Sequence, residues 1–264
     1  MHNFLHNTVI GAPASTLPRP TVSDALTPGL VGAGPARPQA SSTETLLQPR
    51  LGLVVISVVL VALPVFLQAP WVRFAPASSV LFTAVLLAIG LGLERRSEPR
   101  LRHLGLLLVG FSGSWLAGSL FWGWARLHPL WHLPIEAFAL PLALAGLGSR
   151  WRLACGFYLG SLIGTASTDA AIAATGLMPL WPEALAAPGG EAMLVLHAAG
   201  LQVLQPACLA LVAGFAALLL AASRWLWQRG ELGQVVGATL ITTLAVDGLF
   251  LLLALLAPGL TGLI

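Results

Sequence analysis

The stretch LGQVVGATLITTLAVDGLFLLLALLA, residues 232–257, contains one charged side chain, Asp247. At about 1.5 Å rise per residue, a helix of this length is long enough to cross the roughly 30 Å of hydrocarbon in a bilayer. Across the whole chain 57% of residues are hydrophobic and 9% are charged, whereas soluble domains carry charge on about a quarter of their residues. The composition therefore predicts a multi-pass membrane protein in contact with a lipid bilayer.

Seven apolar segments are long enough to cross the membrane as helices. They are approximately 51–68, 77–93, 104–125, 133–148, 153–177, 192–222 and 232–257. The fourth segment is short, and Pro206 predicts a kink in the long sixth because proline removes an internal helix hydrogen bond. The third and fourth segments could instead form one hairpin that dips in and returns. We expect an all-α polytopic bundle of about seven transmembrane helices over residues 49–264.

Residues 1–48 have a different composition from the rest of the chain. Prolines alternate there with Gly, Ala, Ser and Thr without any apolar period, at Pro13, Pro18, Pro20, Pro28, Pro35 and Pro38. This pattern predicts a disordered cytoplasmic tail. The tail lacks the basic start and the continuous apolar run of a secretory signal, so we expect no cleavage on export.

The basic residues, all of them arginine, orient the predicted spans because short cytoplasmic loops retain positive charge. If the tail is inside, most of the arginines outside it fall on the cytoplasmic side: Arg50, Arg95, Arg96, Arg100, Arg102, Arg150, Arg152, Arg224 and Arg229. Arg73 and Arg126 then lie outside. The asymmetry predicts a cytoplasmic N-terminus and a C-terminus on the outer or lumenal side.

The net charge and the cysteines exclude several classes of site. A net charge of +3, dispersed along the chain, does not indicate nucleic acid binding. Cys155 and Cys208 lie inside apolar segments without CxxC spacing, so we expect neither a disulfide nor a thiolate metal site.

Three carboxyl groups, on Glu136, Asp169 and Asp247, lie inside predicted spans and in the same half of the membrane. A carboxylate in hydrocarbon normally faces the bundle interior, and it often marks a pathway or site. Together with nearby basic side chains they form the predicted substrate-binding set: Glu136, Asp169, Asp247, Arg126, His132 and His197. We predict that the three carboxyl groups share one outer cavity. The alternative is a structural hydrogen-bond network that locks the helices together.

The stretch FWGWARLHPLWHLPIE, residues 121–136, is rich in aromatic and ionisable side chains. Its tryptophans approach the outer boundary, where the amphipathic indole ring is enriched. His128, His132 and Glu136 recur every four residues, which would align three metal ligands on a continuous helix. Pro129 and Pro134 interrupt that helix, so the spacing is weak support for a metal site.

The fifth and seventh segments share a stripe of hydroxyl groups ending in an aspartate. The two stripes are Ser161, Thr165 and Asp169, and Thr239, Thr243 and Asp247. Small residues beside the first stripe predict a close helix crossing, for which the third segment offers a matching face: Gly156, Gly160 and Gly164 against Gly110, Ser114 and Gly118. Hydroxyl groups bonded to carbonyls of their own helix are the alternative.

Four further stretches resemble one known family. They are LPVFLQAPWVR (63–73), GSWLAGSLFWGW (113–124), HLPIEAFALP (132–141) and FYLGSLIGTASTD (157–169). They resemble an uncharacterised family of cyanobacterial integral membrane proteins, a domain of unknown function, over roughly residues 50–230. The resemblance implies a cyanobacterial source and a plasma or thylakoid membrane. It implies no activity for any residue.

Three function classes fit these patterns. The first is a transporter or channel whose acidic outer cavity binds a cation or another small solute. The second is an assembly or pigment-binding protein of the photosynthetic membrane, with His128, His132 or His197 as axial ligands and a membrane complex as partner. The third is an intramembrane enzyme acting on a lipid-like substrate. We rank the transporter first. No HExxH, Walker or GxGxxG motif occurs, and the sequence identifies no cofactor.

Overall fold

The computed structural model describes residues 42–261, with side chains from residue 51 onward. The predicted tail lies outside the described residues up to residue 41, and the first helix begins at Ser42. Within 42–261 the chain is helical without strands, which confirms the all-α prediction there. The α-helices are α1 (Ser42–Leu63), α2 (Ala69–Phe74), α3 (Pro76–Glu94), α4 (Pro99–Leu120), α5 (His132–Glu136), α6 (Leu140–Gly146), α7 (Arg152–Ala174), α8 (Leu180–Ala186), α9 (Gly189–Val203), α10 (Pro206–Trp227) and α11 (Gly230–Leu256).

Five helical stretches in the described part of the chain are long and apolar enough to cross a membrane. They are Leu51–Phe74, Pro76–Glu94, Pro99–Ala125, Pro206–Trp227 and Gly230–Leu256. The predicted count of seven is therefore not confirmed. The two segments that account for the difference are 133–148 and 153–177.

Segment 133–148 is divided into short pieces, α5, a 3₁₀ turn at Ala137–Ala139 and α6. Pro134 and Pro141 lie within it, and proline lacks the N–H that a continuous helix needs. Segment 153–177 corresponds to α7, which is long enough, but its Gly, Ser, Thr and Asp residues make it less apolar than the five stretches. The predicted kink in the sixth segment is a complete break, because α9 ends at Val203 and Pro206 begins α10.

Two π-helical turns, Pro64–Gln68 and Phe121–Ala125, extend the first and third apolar stretches. They are linked through Gln68, whose Nε2 donates to the carbonyl of Trp115 at 2.5 Å and to the Ser119 hydroxyl at 2.7 Å. All three of these side chains are buried. Because an unpaired amide is costly in an apolar interior, these hydrogen bonds hold the Pro64–Gln68 turn against α4.

Helix α7 lies at the centre of the bundle and runs parallel to α11. A Cβ atom added to Gly160 would lie 2.0 Å from the Thr239 hydroxyl oxygen, and one added to Gly164 would lie 2.7 Å from that of Thr243. The contact moves from Thr239 to Thr243 on α11 as it moves from Gly160 to Gly164 on α7, so the two helices point in the same direction. The close crossing predicted for the α7 glycines is present, but its partner is α11.

Helix α4 of the third segment contacts α7 on another side. A Cβ atom on Gly110 would lie 2.2 Å from the Ala154 carbonyl oxygen, so the two backbones are in close contact. Phe111 and Phe157 pack edge to face with ring centroids 6.2 Å apart. The core here joins α1, α3, α4, α7 and α11 through a cluster of buried side chains: Leu53, Leu60, Leu86, Leu106, Leu107, Phe111, Trp115, Leu153, Phe157 and Val235.

The broken segment from His132 to Gly146 runs antiparallel to α7 along most of its length. His132 lies beside Asp169, and the Ala139 N–H donates to the Tyr158 hydroxyl at 3.1 Å. At the other end of the segment, a Cβ atom on Gly146 would lie 2.5 Å from the Cys155 sulfur. The chain thus returns from the end of α4 to the start of α7.

The two ends of the bundle differ in chemistry. At the start of α7 and α11, which we call the arginine end, Arg150 lies 3.8 Å from Glu94 and Arg152 lies 3.6 Å from Glu231. At the opposite end, which we call the cavity end, α7 and α11 carry Asp169 and Asp247. Helix α9 packs there, since its Gly200 lies against Leu255 of α11.

Candidate ligand-binding site

A cavity of about 470 Å³ lies at the cavity end of α7 and α11. Helices α8, α9 and α10 line its other sides. Most of its wall is apolar and comes from Leu180, Ala184, Leu185, Val195, Leu196, Ala199, Gly200, Val203, Val212, Phe215, Ala216, Leu219, Leu244, Phe250, Leu251 and Ala254. Ligand sites typically have volumes of about 300–1,000 Å³, so a small molecule fits this space.

The polar side chains of the wall that lie around Asp169 and Asp247 come from three helices. His132 of α5 and Asp247 of α11 face the cavity with a group from one turn of α7: Thr165, Ser167, Thr168 and Asp169. Because α7 and α11 run parallel at close range, Asp169 and Asp247 lie at the same level. The geometry therefore combines an apolar body with one acidic wall.

His132 is hydrogen-bonded to Asp169. Its Nδ1 atom lies 3.1 Å from both carboxyl oxygens of Asp169, and its Nε2 atom lies 3.6 Å from Glu136 Oε1. The exposed fractions of the three side chains are only 12–14%. The imidazole ring thus separates two nearly buried carboxyl groups.

Glu136 lies behind His132, one helical turn nearer to the arginine end than Asp169. The Thr165 hydroxyl donates to Glu136 Oε2 at 3.1 Å, and the Tyr158 hydroxyl donates to the Glu136 carbonyl. Glu136 is not part of the cavity wall. Its carboxyl group therefore reaches the cavity only through His132 and Thr165.

Asp247 is held by a hydrogen bond between the two parallel helices. The Thr168 hydroxyl lies 2.6 Å from Asp247 Oδ2 and donates to it, and it is also 3.2 Å from the Gly164 carbonyl. Among residues 51–261, no basic side chain forms an ion pair with Asp247. One hydrogen bond leaves much of the acceptor capacity of this carboxyl group open to a ligand.

Aromatic rings surround His132. The Phe121 ring stacks on the imidazole with centroids 4.2 Å apart, and Trp122 stacks on Trp181 at 5.6 Å. The Trp181 indole N–H also donates to the Arg126 carbonyl at 2.8 Å, which ties α8 to the turn after α4. Trp122 and Trp181 face the cavity, so they extend its acidic wall with aromatic surface.

The structure brings most of the predicted set together. His132, Asp169 and Asp247 line the cavity, and Glu136 adjoins them. His197 lies on α9 outside the cavity wall, and Arg126 contributes its carbonyl to Trp181. Across the side chains that the structure describes, Arg126 has no carboxylate partner.

The hydroxyl stripes serve two different purposes. Thr165 donates across helices to Glu136, whereas Thr239 and Thr243 donate to carbonyls of their own helix, those of Val236 and Thr239. The own-helix alternative is therefore correct for the α11 stripe. Thr168 follows Gly156, Gly160 and Gly164 of α7 at the same four-residue spacing, and its hydroxyl donates the interhelical hydrogen bond to Asp247.

Sequence reasoning missed Trp181 and the apolar walls of α8–α10. Trp181 lies in PLWPEALAAPGG, residues 179–190, between two predicted spans. A tryptophan among prolines at a span boundary has the pattern of an interface anchor, so the sequence around Trp181 does not indicate its contact with the site. The walls come from side chains that repeat the general apolar pattern, so no local signal separates them from lipid-facing residues.

The metal alternative finds no support in the geometry. Among the described residues, no group of three or more His, Cys, Asp and Glu side chains has an arrangement that could hold a metal ion. His128 is exposed and precedes the 3₁₀ turn Pro129–Trp131, so the spacing of His128, His132 and Glu136 does not lie on one continuous helix.

Comparison with known proteins adds a family without an activity. Residues 57–255 match the family model described as protein of unknown function (DUF3120). No curated protein and no solved structure matches the chain. The cyanobacterial source implied by the sequence resemblance stays a prediction. Since the matched residues span well over half of its length, the chain belongs to the DUF3120 family.

Proposed function

We propose that this protein binds and transports a small amphipathic cation across a membrane. The observation that carries the proposal is the position of Asp169 and Asp247 on one wall of an otherwise apolar cavity of about 470 Å³. An apolar wall favours the body of the ligand, and a carboxylate favours a cationic head. Intramembrane carboxyl groups of this kind often mark transport pathways.

The charges of the wall favour a cation over an anion. Asp169 lies at hydrogen-bond distance from His132, a side chain that can carry a positive charge, whereas Asp247 accepts a hydrogen bond from neutral Thr168. This part of the structure therefore contains one imidazole and three carboxyl groups when Glu136 is included. Trp122 and Trp181 add ring faces, to which an alkylammonium head is attracted.

The proposed membrane topology has seven passes. Helix α7 runs parallel to α11 and in contact with it, so a bilayer crossed by α11 also encloses α7. The segment from His132 to Gly146 then makes the return crossing, buried against α7, where broken helix is tolerated because protein surrounds it. The arginine end is cytoplasmic in this proposal, and the cavity opens in the outer half of a plasma or thylakoid membrane.

Reporter fusions test the topology. We expect reporters after Arg102 and after Arg229 to be cytoplasmic and one after Ile264 to be on the outer side. A cytoplasmic reporter at Ile264 would show that the number of crossings is even.

A binding measurement tests the ligand class. We expect the purified full chain to bind octyltrimethylammonium, a probe with an apolar tail and a permanent charge, and to bind octanol much more weakly. Asp247→Asn should weaken binding of the charged probe about tenfold or more, a loss of about 1.4 kcal/mol or more, because it removes the Coulomb attraction between a carboxylate and a permanent positive charge in a poorly solvated site. Glu191→Gln, an exposed change at the start of α9, is the matched control and should bind as the parent does.

Proteoliposomes test transport itself. Vesicles containing the protein should release the preloaded probe faster than vesicles containing the Asp247→Asn variant at equal protein content. Binding without release would reject transport and leave a membrane binding protein. Equal binding of octanol and the charged probe would reject the cationic ligand class.

A further inference from the structure

We infer that His132, Glu136 and Asp169 together hold one exchangeable proton, and that the protein exchanges this proton for its cationic ligand. The ligand half of this inference rests on the proposed function. The proton half rests on the contacts of His132 alone. Chains of Asp, Glu and His side chains within membranes commonly carry protons in pumps and transporters.

The two ring nitrogens of His132 face oxygens of different carboxyl groups. Nδ1 lies at hydrogen-bond distance from Asp169, and Nε2 lies at ion-pair distance from Glu136. An ionised carboxylate only accepts hydrogen bonds, and a neutral imidazole donates from one nitrogen alone. If both carboxyl groups were ionised and the ring neutral, one ring lone pair would face a carboxylate oxygen. One additional proton, on the ring or on a carboxyl group, removes that conflict.

Among residues 51–261, no basic side chain forms an ion pair with Asp169 or Glu136 other than His132 itself. Phe121, in the π-helical turn after α4, and Trp181 of α8 face the ring and carry no charge. From α7 the facing group is Asp169, and from the same short helix it is Glu136. Asp247 of α11 lies beyond Thr168 and adds negative charge to the same wall.

Asp169 belongs both to the cavity wall and to the contacts of His132. A cationic head at Asp169 would therefore lie close to a protonated ring. Two positive charges at such a distance repel each other strongly in a poorly solvated site. When the cation binds, the additional proton leaves the histidine and the carboxyl groups for solvent. One positive charge enters the site and one leaves, so its net charge is unchanged.

Proton counting on the purified full chain tests this exchange. Octyltrimethylammonium has no titratable proton, so any proton released on its addition comes from the protein. In weakly buffered solution near neutral pH, we expect the parent to release about one proton per bound probe. His132→Gln should release close to no proton per bound probe, because glutamine keeps a hydrogen-bond donor but carries no titratable proton. His197→Gln, on α9 outside the cavity wall, is the matched control and should release as the parent does.

A second measurement does not depend on the ligand. Nitrogen-15 NMR of histidine-labelled protein reports whether a ring carries one or two protons, and the signal of His132 is assigned by its loss in His132→Gln. Without probe and near neutral pH, we expect the His132 spectrum to show either two protonated ring nitrogens or a proton shared between one ring nitrogen and a carboxyl group. We expect this His132 signal to change when the probe is added. If His132→Gln does not fold, Glu136→Gln replaces it and should release less proton per bound probe than the parent.

The outcomes separate the two proposals. No binding of the probe by the parent rejects the proposed ligand class. A nitrogen-15 spectrum of an ordinary neutral ring at His132, together with no proton release on probe binding, rejects the stored proton. Binding without proton release rejects the exchange while leaving the cation site intact. Equal release by the parent and by a folded His132→Gln variant would show that another group carries the proton.

Discussion

The two halves of α7 differ in packing although they belong to one continuous helix. From Leu153 to Gly164 most side chains are buried against α4 and α11, and from Thr165 to Ala174 they are half-buried or exposed. The first half excludes a Cβ atom at Gly160, whereas the second half faces a cavity of about 470 Å³. The difference shows how one helix can serve as the packing axis of the bundle and as the wall of a site.

The transition between the halves has a physical cause. At Gly164 the contact is with Thr243, and one turn later Thr168 reaches Asp247 through a hydrogen bond. Glycine lets two backbones approach, whereas Thr168 and Asp247 meet through a hydrogen bond between their side chains. The parallel pair thus has a tightly packed half at the arginine end and a polar, open half at the cavity end.

The largest expected effect comes from adding a large side chain to the tightly packed half of α7. Gly160→Leu places a branched side chain where even a Cβ atom would lie 2.0 Å from the Thr239 hydroxyl oxygen and 3.3 Å from the Val236 backbone. We expect a loss of about 3 kcal/mol or more of stability, since overpacking a dense core costs about 1–3 kcal/mol and sometimes more. The measurement is thermal unfolding in detergent together with the yield of monodisperse protein.

Gly214→Leu on α10 is the control for that experiment. No atom lies within 4 Å of a Cβ atom built there, so the same substitution meets open space. We expect Gly214→Leu to behave as the parent does. Equal damage by both variants would show that leucine in any helix of this bundle is harmful, and the contrast between the halves of α7 would lose its basis.

The next effect concerns ligand binding in the open half. Ala216→Phe on α10 adds a ring to the cavity wall, whereas Ala217→Phe adds the same ring to an exposed position beside it. We expect Ala216→Phe to weaken binding of octyltrimethylammonium at least about tenfold, a loss of about 1.4 kcal/mol, with little change in unfolding temperature. Ala217→Phe should keep the parent affinity. Lower affinity in both variants would indicate that the probe binds elsewhere.

Much of the fold can be predicted from the sequence because composition and periodicity dominate it. The apolar runs identify the long helices, and the small residues at Gly156, Gly160 and Gly164 identify the close crossing. The partner of that crossing could not be predicted, because α4 and α11 both offer small residues at matching spacing. Contacts between distant helices decide it.

The candidate site was predictable in part for a related reason. Charged groups are rare in apolar spans, so Glu136, Asp169 and Asp247 stand out in the sequence, and His132 lies four residues before Glu136. His197 and Arg126 stand out equally and do not line the cavity. The position of a residue within a predicted span indicates its depth in the membrane, but it does not indicate the direction in which the side chain points.

The smallest expected effect is that of Thr165→Val, at the boundary between the two halves. Valine keeps the shape of threonine and removes the hydroxyl that donates to Glu136 Oε2 at 3.1 Å. Interhelical hydrogen bonds in membranes contribute on average about 0.6 kcal/mol, so we expect the unfolding temperature to fall by only about 1–2 °C. Thr242→Val is the control, since its buried hydroxyl donates to the Ala238 carbonyl of its own helix. A loss of stability from Thr165→Val as large as that from Gly160→Leu would mean that polar contacts, and not close backbone packing, hold α7 in the bundle.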